Sequence, residues 1–463
     1  MSEPKKPEAQ AVVARRDSFP TFRRLLGRFR FLPLGQLRRL PRRVANWFWR
    51  NKRRFAMAAL TSVALWVATN IYAGVLLNRE LEAIKQRGEP LTMVEMVPPI
   101  PDAKNAAILY QRADLLLKKL GLDKKEESRI EEWDAEDGKT AASPEVVLMR
   151  CQLLQKYRPA LEIIRQASRL PLCRFPNRWE NLMQVRFTAL PILRQYSRLM
   201  RASAIQEAHD GHTEQAIEDL GVIYRMSNHA ADDPLLVASL TKIHCEGIGH
   251  NTLAAILRDS RLTSTQKNRI EAVLPRSSLK QNFARAYLGE RTTMTRLTDY
   301  LYFSADNSRP SWIRMLADSP ILRVLLQPRI KMDKVWFLRT HPANPHPLPS
   351  SDVPDYAYAT RVNLPGYDFR LRYLTDSNAN RGLARVALAL DFYQSQNKAY
   401  PMTLAQLETQ SKTKLPLDSY SGKPFIYRRT KDGYTLYSVG YNNTDDGGRA
   451  LWEDDLLWAP RID

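Results

Sequence analysis

Histidines are the first candidates for metal or acid–base chemistry, because neutral imidazole binds zinc and titrates near neutral pH. His209 and His212 share a turn and could hold a metal, but a polar turn between two helices accounts for them better. His244 and His250 lie on one predicted helix, where a step of six residues leaves the two rings about 120° apart. We therefore expect no shared zinc ion at this pair and interpret it as helix packing.

Adjacent carboxylates are the second candidates, because acid catalysis needs one carboxyl group whose pKa is raised by its surroundings. Glu131 with Glu132 and Asp232 with Asp233 occur in hydrophilic stretches, so we predict that all four are solvated. The sequence contains no Gly-x-Ser-x-Gly elbow, no phosphate-binding glycine loop and no His-Glu-x-x-His zinc helix. It therefore predicts no enzyme activity. An envelope hydrolase whose site is assembled from distant helices stays open as an alternative.

An uncharged apolar segment, residues 55–77, decides how the rest of the chain is interpreted. Its only strongly polar side chain is Asn70, and at 1.5 Å per residue it reaches the ~30 Å of a bilayer core. The segment predicts one transmembrane helix that acts as an uncleaved anchor. A cleaved signal peptide is the competing interpretation, but such leaders have a shorter basic region and an apolar core of only about 7–15 residues.

Positive charge is concentrated before this segment. The formal net charge is +21, and residues 1–54 carry 16 Lys and Arg against 3 acidic residues. Because Lys and Arg resist translocation, the N-terminus is predicted in the cytoplasm of a bacterium, with the inner membrane spanned once and the remaining chain outside. Aromatic and basic residues alternate over 19–32, which is typical of contact with anionic lipids. A disordered arm that only sets topology is equally open, and nucleic-acid binding is not expected.

Helical periodicity dominates the chain beyond the span. Residues 78–103 are interrupted by glycine and proline and predict a stalk. Apolar residues then recur at spacings of three and four, as in Ala106, Leu109, Tyr110 and Ala113, so residues 104–340 are predicted as a helical ectodomain. Paired helices around the turn at 209–212 are loosely similar to tetratricopeptide-type hairpins, without a second copy at a period of 34. Such stacks usually bind other proteins.

A proline cluster separates this region from the C-terminal part. Five prolines fall within residues 342–354, and proline at this density disfavours helix and central strand alike, so residues 341–378 are predicted as a linker. Of the three cysteines, Cys151 and Cys173 are close enough in sequence for a disulfide in an exported domain. Buried free thiols are the preferred interpretation for all three, including Cys245.

Residues 379–463 are predicted as a small α+β module. An apolar helical face covers about 379–396, and residues 425–429 and 434–439 alternate like two strands joined by a turn at 431–433. A long helix laid across a small antiparallel sheet is the expected product. The fold class of the whole chain is therefore mainly α: one transmembrane helix, an ectodomain of helical hairpins and a small C-terminal α+β module.

The module also carries an ordered series of short motifs. They are Ala399-Tyr400-Pro401, Leu404 to Leu407, Leu415-Pro416-Leu417-Asp418, Gly422-Lys423-Pro424-Phe425, Tyr434 to Gly440, Asp445 to Gly448, and Asp454-Asp455-Leu456 with Trp458. Over roughly residues 380–460 this series resembles the globular domain of the major pseudopilins of type II secretion. The leader and early Glu of that family are missing around residues 54–61, and a long helical region intervenes. The resemblance therefore does not imply polymerisation into a pseudopilus.

In that family the final loop of the domain binds calcium. By resemblance, Asp445, Asp446, Asp454 and Asp455 are candidate ligands, with Asn442 or Asn443 assisting. Their chemistry suits this ion, because calcium takes six to eight oxygens and a glycine-rich acidic loop can supply them. A solvated acidic turn is the alternative interpretation.

These features together predict a membrane-anchored protein of the cell envelope that acts as a protein-interaction or scaffold unit. Its expected partners are the membrane and other envelope proteins. A component associated with a type II secretion or pilus-like system is the first alternative, because of the pseudopilin resemblance. The hydrolase mentioned above is the second.

Overall fold

A computed structural model describes residues 42–136, 143–176, 189–303, 319–340, 353–363, 366–431, 433–449 and 455–458. Most of the basic arm, including residues 19–32, and most of the proline cluster lie outside the described residues. The chain divides into two compact units, residues 1–69 and 70–463. Over the described residues the protein is mainly helical, with a three-stranded sheet near the C-terminus. The predicted mainly α fold class is confirmed at this level.

The first described helix, α1 (Arg42–Gln86), carries the predicted membrane segment. Within it, Trp49–Gln86 is the candidate span, and only 6% of its most apolar window is buried. Large apolar side chains such as Leu60 and Leu65 are exposed along it. A helix of a soluble core would bury such a surface against other elements. The structure thus contains a helix long and apolar enough to cross a membrane, while its orientation and the identity of the membrane stay predictions.

Residues 78–103, predicted as a stalk, lie against the helical body. The end of α1 is held by Arg339, whose Nε donates to Glu80 Oε1 at 2.7 Å, and Glu89 pairs with the buried Arg291. The short helix α2 (Met93–Met96) follows. Met93 and Val97 are buried, and apolar side chains of this size gain by leaving water. The segment therefore contributes to the fold of the body.

Six helices of the described residues build the first part of the body. They are α3 (Ala106–Lys119), α4 (Lys124–Glu136), α5 (Pro144–Ser168), α6 (Ala189–His209), α7 (Thr213–Ala230) and α8 (Leu236–Asp259). Helices α6 and α7 form a hairpin around Gly211, whose φ of +83° suits a residue without a Cβ. Tyr110, Tyr157 and Tyr196 are fully buried in the core between α3, α5 and α6.

The other helices that the structure describes lead into the C-terminal sheet. They are α9 (Ser264–Val273), α10 (Leu279–Phe303), α11 (Pro320–Leu325), α12 (Gln327–Thr340), α13 (Tyr358–Asn363), α14 (Gly366–Asn397) and α15 (Leu404–Ser411). Helix α14 begins within the predicted linker, well before residue 379. The apolar and aromatic residues after Gly366 extend its helical pattern, and Val353 and Ala357 pack with Phe283 and Tyr287.

The sheet has the order β1-β2-β3 and is antiparallel throughout. Its strands are β1 (Ile426–Arg429), β2 (Tyr434–Ser438) and β3 (Leu456–Leu457). The predicted hairpin is present, with Ile426 opposite Tyr437, whereas β3 was not predicted. Helix α14 crosses close to the sheet at Gly382, where a Cβ would lie 2.6 Å from the ring of Phe425. Glycine at this position permits the close approach.

The helical body and the sheet share one hydrophobic core. Leu220, Leu253 and Ile270 of α7, α8 and α9 pack in the same cluster as Leu383 of α14 and Leu436 of β2. A buried ionic network reinforces this junction. Arg381 donates to both carboxylate oxygens of Glu246 at 2.7 Å, and Lys242 Nζ lies 3.0 Å from Glu246 Oε1. Helices α8 and α14 are thereby joined by charge as well as by apolar contact.

Candidate functional site

The acidic loop between β2 and β3 contains the residues predicted to bind calcium. Asn443, Gly447 and Gly448 have φ values of 56°, 78° and 83°, so the chain turns sharply and brings the two ends of the loop together. Gly448 N donates to Asp455 Oδ2 at 2.7 Å. Asp454 lies outside the described residues. The predicted ligand set is therefore described only in part.

Asp455 is the buried member of this loop. Its side chain is 2% exposed, and its Oδ1 atom has no hydrogen-bond partner among the described residues. Burial raises the pKa of this carboxyl group, and the neighbouring Asp446 and Asp445 add to the effect while backbone N–H groups oppose it. A buried carboxylate oxygen without a donor is costly. A bound cation would remove that cost at Asp455, and calcium binding by the whole loop stays a prediction.

Asp445 and Asp446 are already engaged within the protein. Tyr437 Oη donates to Asp445 Oδ1 at 2.6 Å, and Arg428 Nη2 donates to Asp445 Oδ2 at 2.9 Å. The hydrogen bond from Tyr437 holds the pKa of Asp445 below its ordinary value, with Gly447 N and Arg428 contributing. Asn442 Nδ2 donates to Asp446 Oδ2 at 2.7 Å. Calcium binding here would have to compete with Arg428 for Asp445.

A second candidate site is a cleft of about 420 Å³ where three segments meet. One wall is the end of α8 with the residues after it (258–261), the second is the end of α14 with the residues after it (394–400), and the third is the described part of the hairpin end (429–431 and 433). Lys398 adopts a left-handed φ of 60° and its N–H still bonds to Gln394 O at 2.8 Å. This conformation ends the helix at the cleft. We call this site the basic cleft.

Five cationic side chains line the basic cleft, namely Arg258, Arg261, Lys398, Arg429 and Lys431, with Asp259 as the acidic residue among the described lining. Asp259 accepts a hydrogen bond from Arg258 Nε at 2.9 Å, which neutralises that one guanidinium. The other four cations form no ion pair with the described residues. Like charges around a concave surface reinforce one another and attract anionic ligands. The cleft is therefore built to receive negative charge.

The two histidine pairs lie in different surroundings. His244 is exposed, whereas His250 is buried and bonds through Nδ1 to Tyr224 Oη at 2.9 Å. His209 and His212 each face a carboxylate, at 3.2 Å from Asp210 and 3.0 Å from Glu207. Among the described residues no three His, Cys, Asp or Glu side chains form a metal-binding group. His250 is packed inside the body, as the helix-packing interpretation expects, whereas His244 lies on the exposed side of α8.

The predicted solvation of Asp232 and Asp233 is wrong. Both lie in the turn between α7 and α8, and burial raises the pKa of each to about 6. Cys173 N donates to Asp232 Oδ2 at 2.5 Å. The turn is covered because α10 approaches it at Gly289, where a Cβ would overlap the carbonyl of Pro234. The structure does not describe the side chains of Glu131 and Glu132, so their solvation stays a prediction.

The three cysteines are free thiols in the structure, and Cys173 and Cys245 are buried. Burial raises the pKa of the Cys245 thiol to about 11. Thiols in this state are poor nucleophiles. Cys173 and Cys245 serve as small apolar packing groups here.

Comparison of the chain with protein-family models, with curated proteins and with solved structures gave no match. The sites are therefore interpreted from their own geometry. Sequence reasoning identified the acidic loop but missed the basic cleft, whose cations come from three segments that are far apart in sequence. One local signal could have indicated the basic cleft: Lys431 lies in the predicted hairpin turn, two residues after Arg429.

Proposed function

We propose that the protein is a single-pass membrane protein of the bacterial envelope whose region beyond the span acts as a protein-interaction or scaffold unit. The observation that carries this proposal is the exposed apolar surface of α1, of whose most apolar window only 6% is buried. The body of residues 70–463, by contrast, buries its own apolar residues in extended clusters. A bilayer is the solvent that suits an exposed apolar helix of this length. The basic arm before it favours a cytoplasmic N-terminus.

The scaffold role is supported by the way the body is joined. Helices α8 and α14 share a core and the buried pairing of Glu246 with Arg381 and Lys242. Breaking such a pairing leaves uncompensated buried charge, so the two regions move as one unit. A unit of this kind holds its surface groups in fixed positions. Preorganised groups lose less conformational entropy when a partner binds.

The basic cleft is the proposed recognition site, and its partner is an acidic segment of another envelope protein. Arg261, Lys398, Arg429 and Lys431 have no carboxylate partner among the described residues, so Asp and Glu side chains of a partner would complete four ion pairs. Complementary charge of this kind raises association rates and selects the partner. The proposed partner is therefore an envelope protein with an exposed acidic segment.

Photocrosslinking in intact cells tests this proposal. A photoreactive amino acid replaces the exposed Thr430 in the wall of the cleft, and a second version carries it at the exposed Leu148 on α5. Adducts are identified by mass spectrometry after purification. We expect a protein adduct that is specific to position 430 and that falls at least fivefold when Arg261→Glu and Lys431→Glu are combined.

The matched control combines Lys104→Glu with Lys119→Glu, two exposed cations outside the cleft with the same total change of charge. This pair is expected to leave the adduct unchanged. An adduct that falls equally in both charge variants would assign the interaction to net charge rather than to the cleft. An adduct made only with phospholipid or glycan would replace the protein partner by another polyanion.

Association with a type II secretion or pilus-like system is the second candidate function. It is favoured by α14 lying against a three-stranded antiparallel sheet whose last loop is acidic, the arrangement that the pseudopilin resemblance implies. Purification of the full chain from crosslinked cells tests it. Secretion-machine components should be enriched over a version that lacks residues 441–458. Equal recovery from both versions would argue against this candidate.

A further inference from the structure

Helix α12 lies alongside the part of α1 that begins at Asn70. Lys331 Nζ donates to Asn70 Oδ1 at 2.9 Å, and a Cβ added at Gly74 would lie 3.6 Å from the same ammonium group. Farther along both helices, Arg339 Nε donates to Glu80 Oε1 at 2.7 Å. From Asn70 to Glu80 is ~15 Å of helix and from Lys331 to Arg339 is ~12 Å. The two helices therefore run side by side in the same direction.

These contacts fall within the apolar segment. Residues 70–77 are its last eight residues, and their outer side presents Ile71, Tyr72 and Val75 at 61%, 62% and 51% exposure. The ammonium group of Lys331 lies against Asn70 and Gly74, which are ~5–10 Å before the end of the segment at Leu77. If residues 55–77 cross the bilayer, the start of α12 lies at the level of the leaflet that the span enters last.

Helix α11 immediately precedes α12 and turns an apolar face outward. Ile321, Val324 and Leu325 are 71%, 53% and 52% exposed, and spacings of three and four place them on one side of the helix. The opposite side is used for packing, because Leu322 and Leu326 contact the cluster of Ile330 and Ala359. A contiguous apolar patch on a surface often marks a site of interaction with a protein or a membrane.

Basic residues lie next to this apolar face in the sequence. Arg323 is exposed on α11 itself, whereas on α12 Arg329 Nε donates to Tyr356 O and Lys331 Nζ donates to Asn70 Oδ1. An apolar face with basic residues at its margin is the composition of helices that lie in the membrane interface, with the apolar side ~5–10 Å deep. That depth agrees with the level that the Asn70 and Gly74 contacts give to the start of α12.

We propose that the outward face of α11 (Ile321, Val324 and Leu325) inserts into the leaflet at the C-terminal end of the span and forms a second, monotopic membrane contact. This inference rests on the proposed membrane anchoring. The occupant of the face is the acyl chains and anionic headgroups of the lipid, because α12, which follows α11 directly, contacts α1 at Asn70, within the segment proposed to cross the bilayer. The contact would hold the body of residues 70–463 in one orientation at the membrane instead of leaving it free to swivel on α1.

Depth-dependent fluorescence quenching tests the proposal on the full chain in vesicles of phosphatidylcholine and phosphatidylglycerol. Cys151→Ser removes the half-buried native thiol, and the buried Cys173 and Cys245 are not labelled in the folded protein. An environment-sensitive probe is then attached at Val324→Cys, at Leu60→Cys in the span or at Leu148→Cys on α5. Lipids with a spin label near the headgroup and aqueous iodide serve as the two quenchers.

The expected result is that the probe at position 324 is quenched by the spin-labelled lipid at least threefold more than the probe at 148, and by iodide at least threefold less. The probe at 60 should be quenched by lipid in either case. A probe at 324 that behaves like the one at 148, while 60 still contacts lipid, overturns the α11 contact and leaves the anchor intact. A probe at 60 that escapes lipid overturns the anchor and this inference together. Ile321→Cys reports on the same face if the Val324 variant does not fold.

Discussion

Two acidic sites lie in or next to helix α8, and their carboxyl pKa values are shifted in opposite directions. Glu246, in the middle of the helix, is fully buried but meets Arg381 and Lys242, whose hydrogen bonds and charges outweigh desolvation and lower its pKa. In the turn before the helix, Asp233 is also buried and Asp232 is half-buried, and burial raises the pKa of each to about 6. Burial alone therefore does not decide the ionisation of these carboxyl groups.

The difference lies in what the nearby guanidinium groups bind. Arg381 directs two N–H groups at the two oxygens of Glu246, which is the strongest pairing available to a carboxylate. Arg285, next to the other site, donates instead to the backbone carbonyl oxygens of Ala231 and Asp232. An arginine that serves the backbone stabilises a turn but leaves the carboxylates with less compensation. The pairing at Glu246 joins helices α8 and α14, whereas Asp232 and Asp233 lie in the turn that precedes α8.

The largest effect is expected from Glu246→Gln. The substitution keeps the shape of the side chain but leaves Lys242 and Arg381 as buried cations without an anion, which costs about 3–5 kcal/mol. Chemical unfolding of the full chain in detergent, followed by circular dichroism, measures the loss. The unfolding of α14 with the sheet should become separable from that of the helical body.

The matched control is Glu214→Gln, which removes the surface ion pair of Glu214 with Arg269. Exposed pairs contribute roughly 0–1 kcal/mol, so this variant should unfold almost like the wild type. Equal losses in the two variants would mean that the buried network is no more important than a surface pair, and the contrast with the Asp232 site would disappear.

Local patterns predicted the hairpin and most of the described helices, but not α13, the start of α14 or the tertiary partners. The alternation around residues 425–439 predicts a hairpin, and the structure has β1 and β2 there. The partner of Glu246 could not be inferred, because Arg381 is 135 residues away and nothing in the helical period of α8 marks it. Strand β3 is only two residues long, too short to show alternation.

Hydrophilic sequence was a poor guide to solvent exposure at the turn before α8. Asp232 and Asp233 read as a solvated pair, yet α10 covers them because Gly289 allows its backbone to reach Pro234. Such coverage depends on a distant glycine and leaves no local signal. The basic cleft was missed for a related reason, since its three walls meet only after α14 has packed on α8 and α9. The acidic loop, in contrast, is contiguous enough to be found from sequence.

A smaller effect, with a characteristic pH dependence, is expected from Asp232→Asn. The pKa of this carboxyl group is about 6 in the folded protein and ~3.9 when unfolded. Its contribution to stability is therefore fully present below about pH 4 and is lost as the pH rises to about 6. The variant should be more stable than the wild type by about 1–3 kcal/mol at pH 7 and equal to it at pH 4.

Two buried histidines make the unfolding free energy change with pH in the opposite direction. Burial lowers the pKa of His229 and His250 to about 4, so their contribution is present above about pH 6.5 and is lost as the pH falls toward 4. In the wild type the aspartate and histidine slopes offset one another. Unfolding free energies at pH 4, 5, 6 and 7 should therefore rise more steeply with pH in Asp232→Asn than in the wild type or in Asp102→Asn, an exposed control. Parallel curves for all three proteins would contradict the raised pKa.

The smallest effect concerns calcium at the acidic loop. If Asp455 Oδ1 receives a cation, 5 mM calcium should raise the melting temperature of the full chain by a few degrees relative to chelator, because a ligand that binds only the folded state stabilises it. Magnesium at the same concentration should do less, since it requires a tighter octahedral site. Asp455→Asn should abolish the calcium shift. If calcium leaves the melting temperature of the wild type unchanged, the prediction of a calcium site at the acidic loop is wrong.

Arg428 pairs with Asp445 of the acidic loop, as Arg381 pairs with Glu246. The pair in the acidic loop lies at the surface, whereas the pair with Glu246 is buried. The side chains of Arg428 and Asp445 are 55% and 38% exposed, so their pairing contributes roughly 0–1 kcal/mol. Calcium must displace Arg428 to use Asp445, and Arg428→Gln should therefore lower the calcium concentration at half-saturation by up to about fivefold. Trp458, buried beside Asp455 at the end of β3, provides a local fluorescence readout. A weaker response in Arg428→Gln than in the wild type would show that the arginine orders the loop for the ion instead of competing with it.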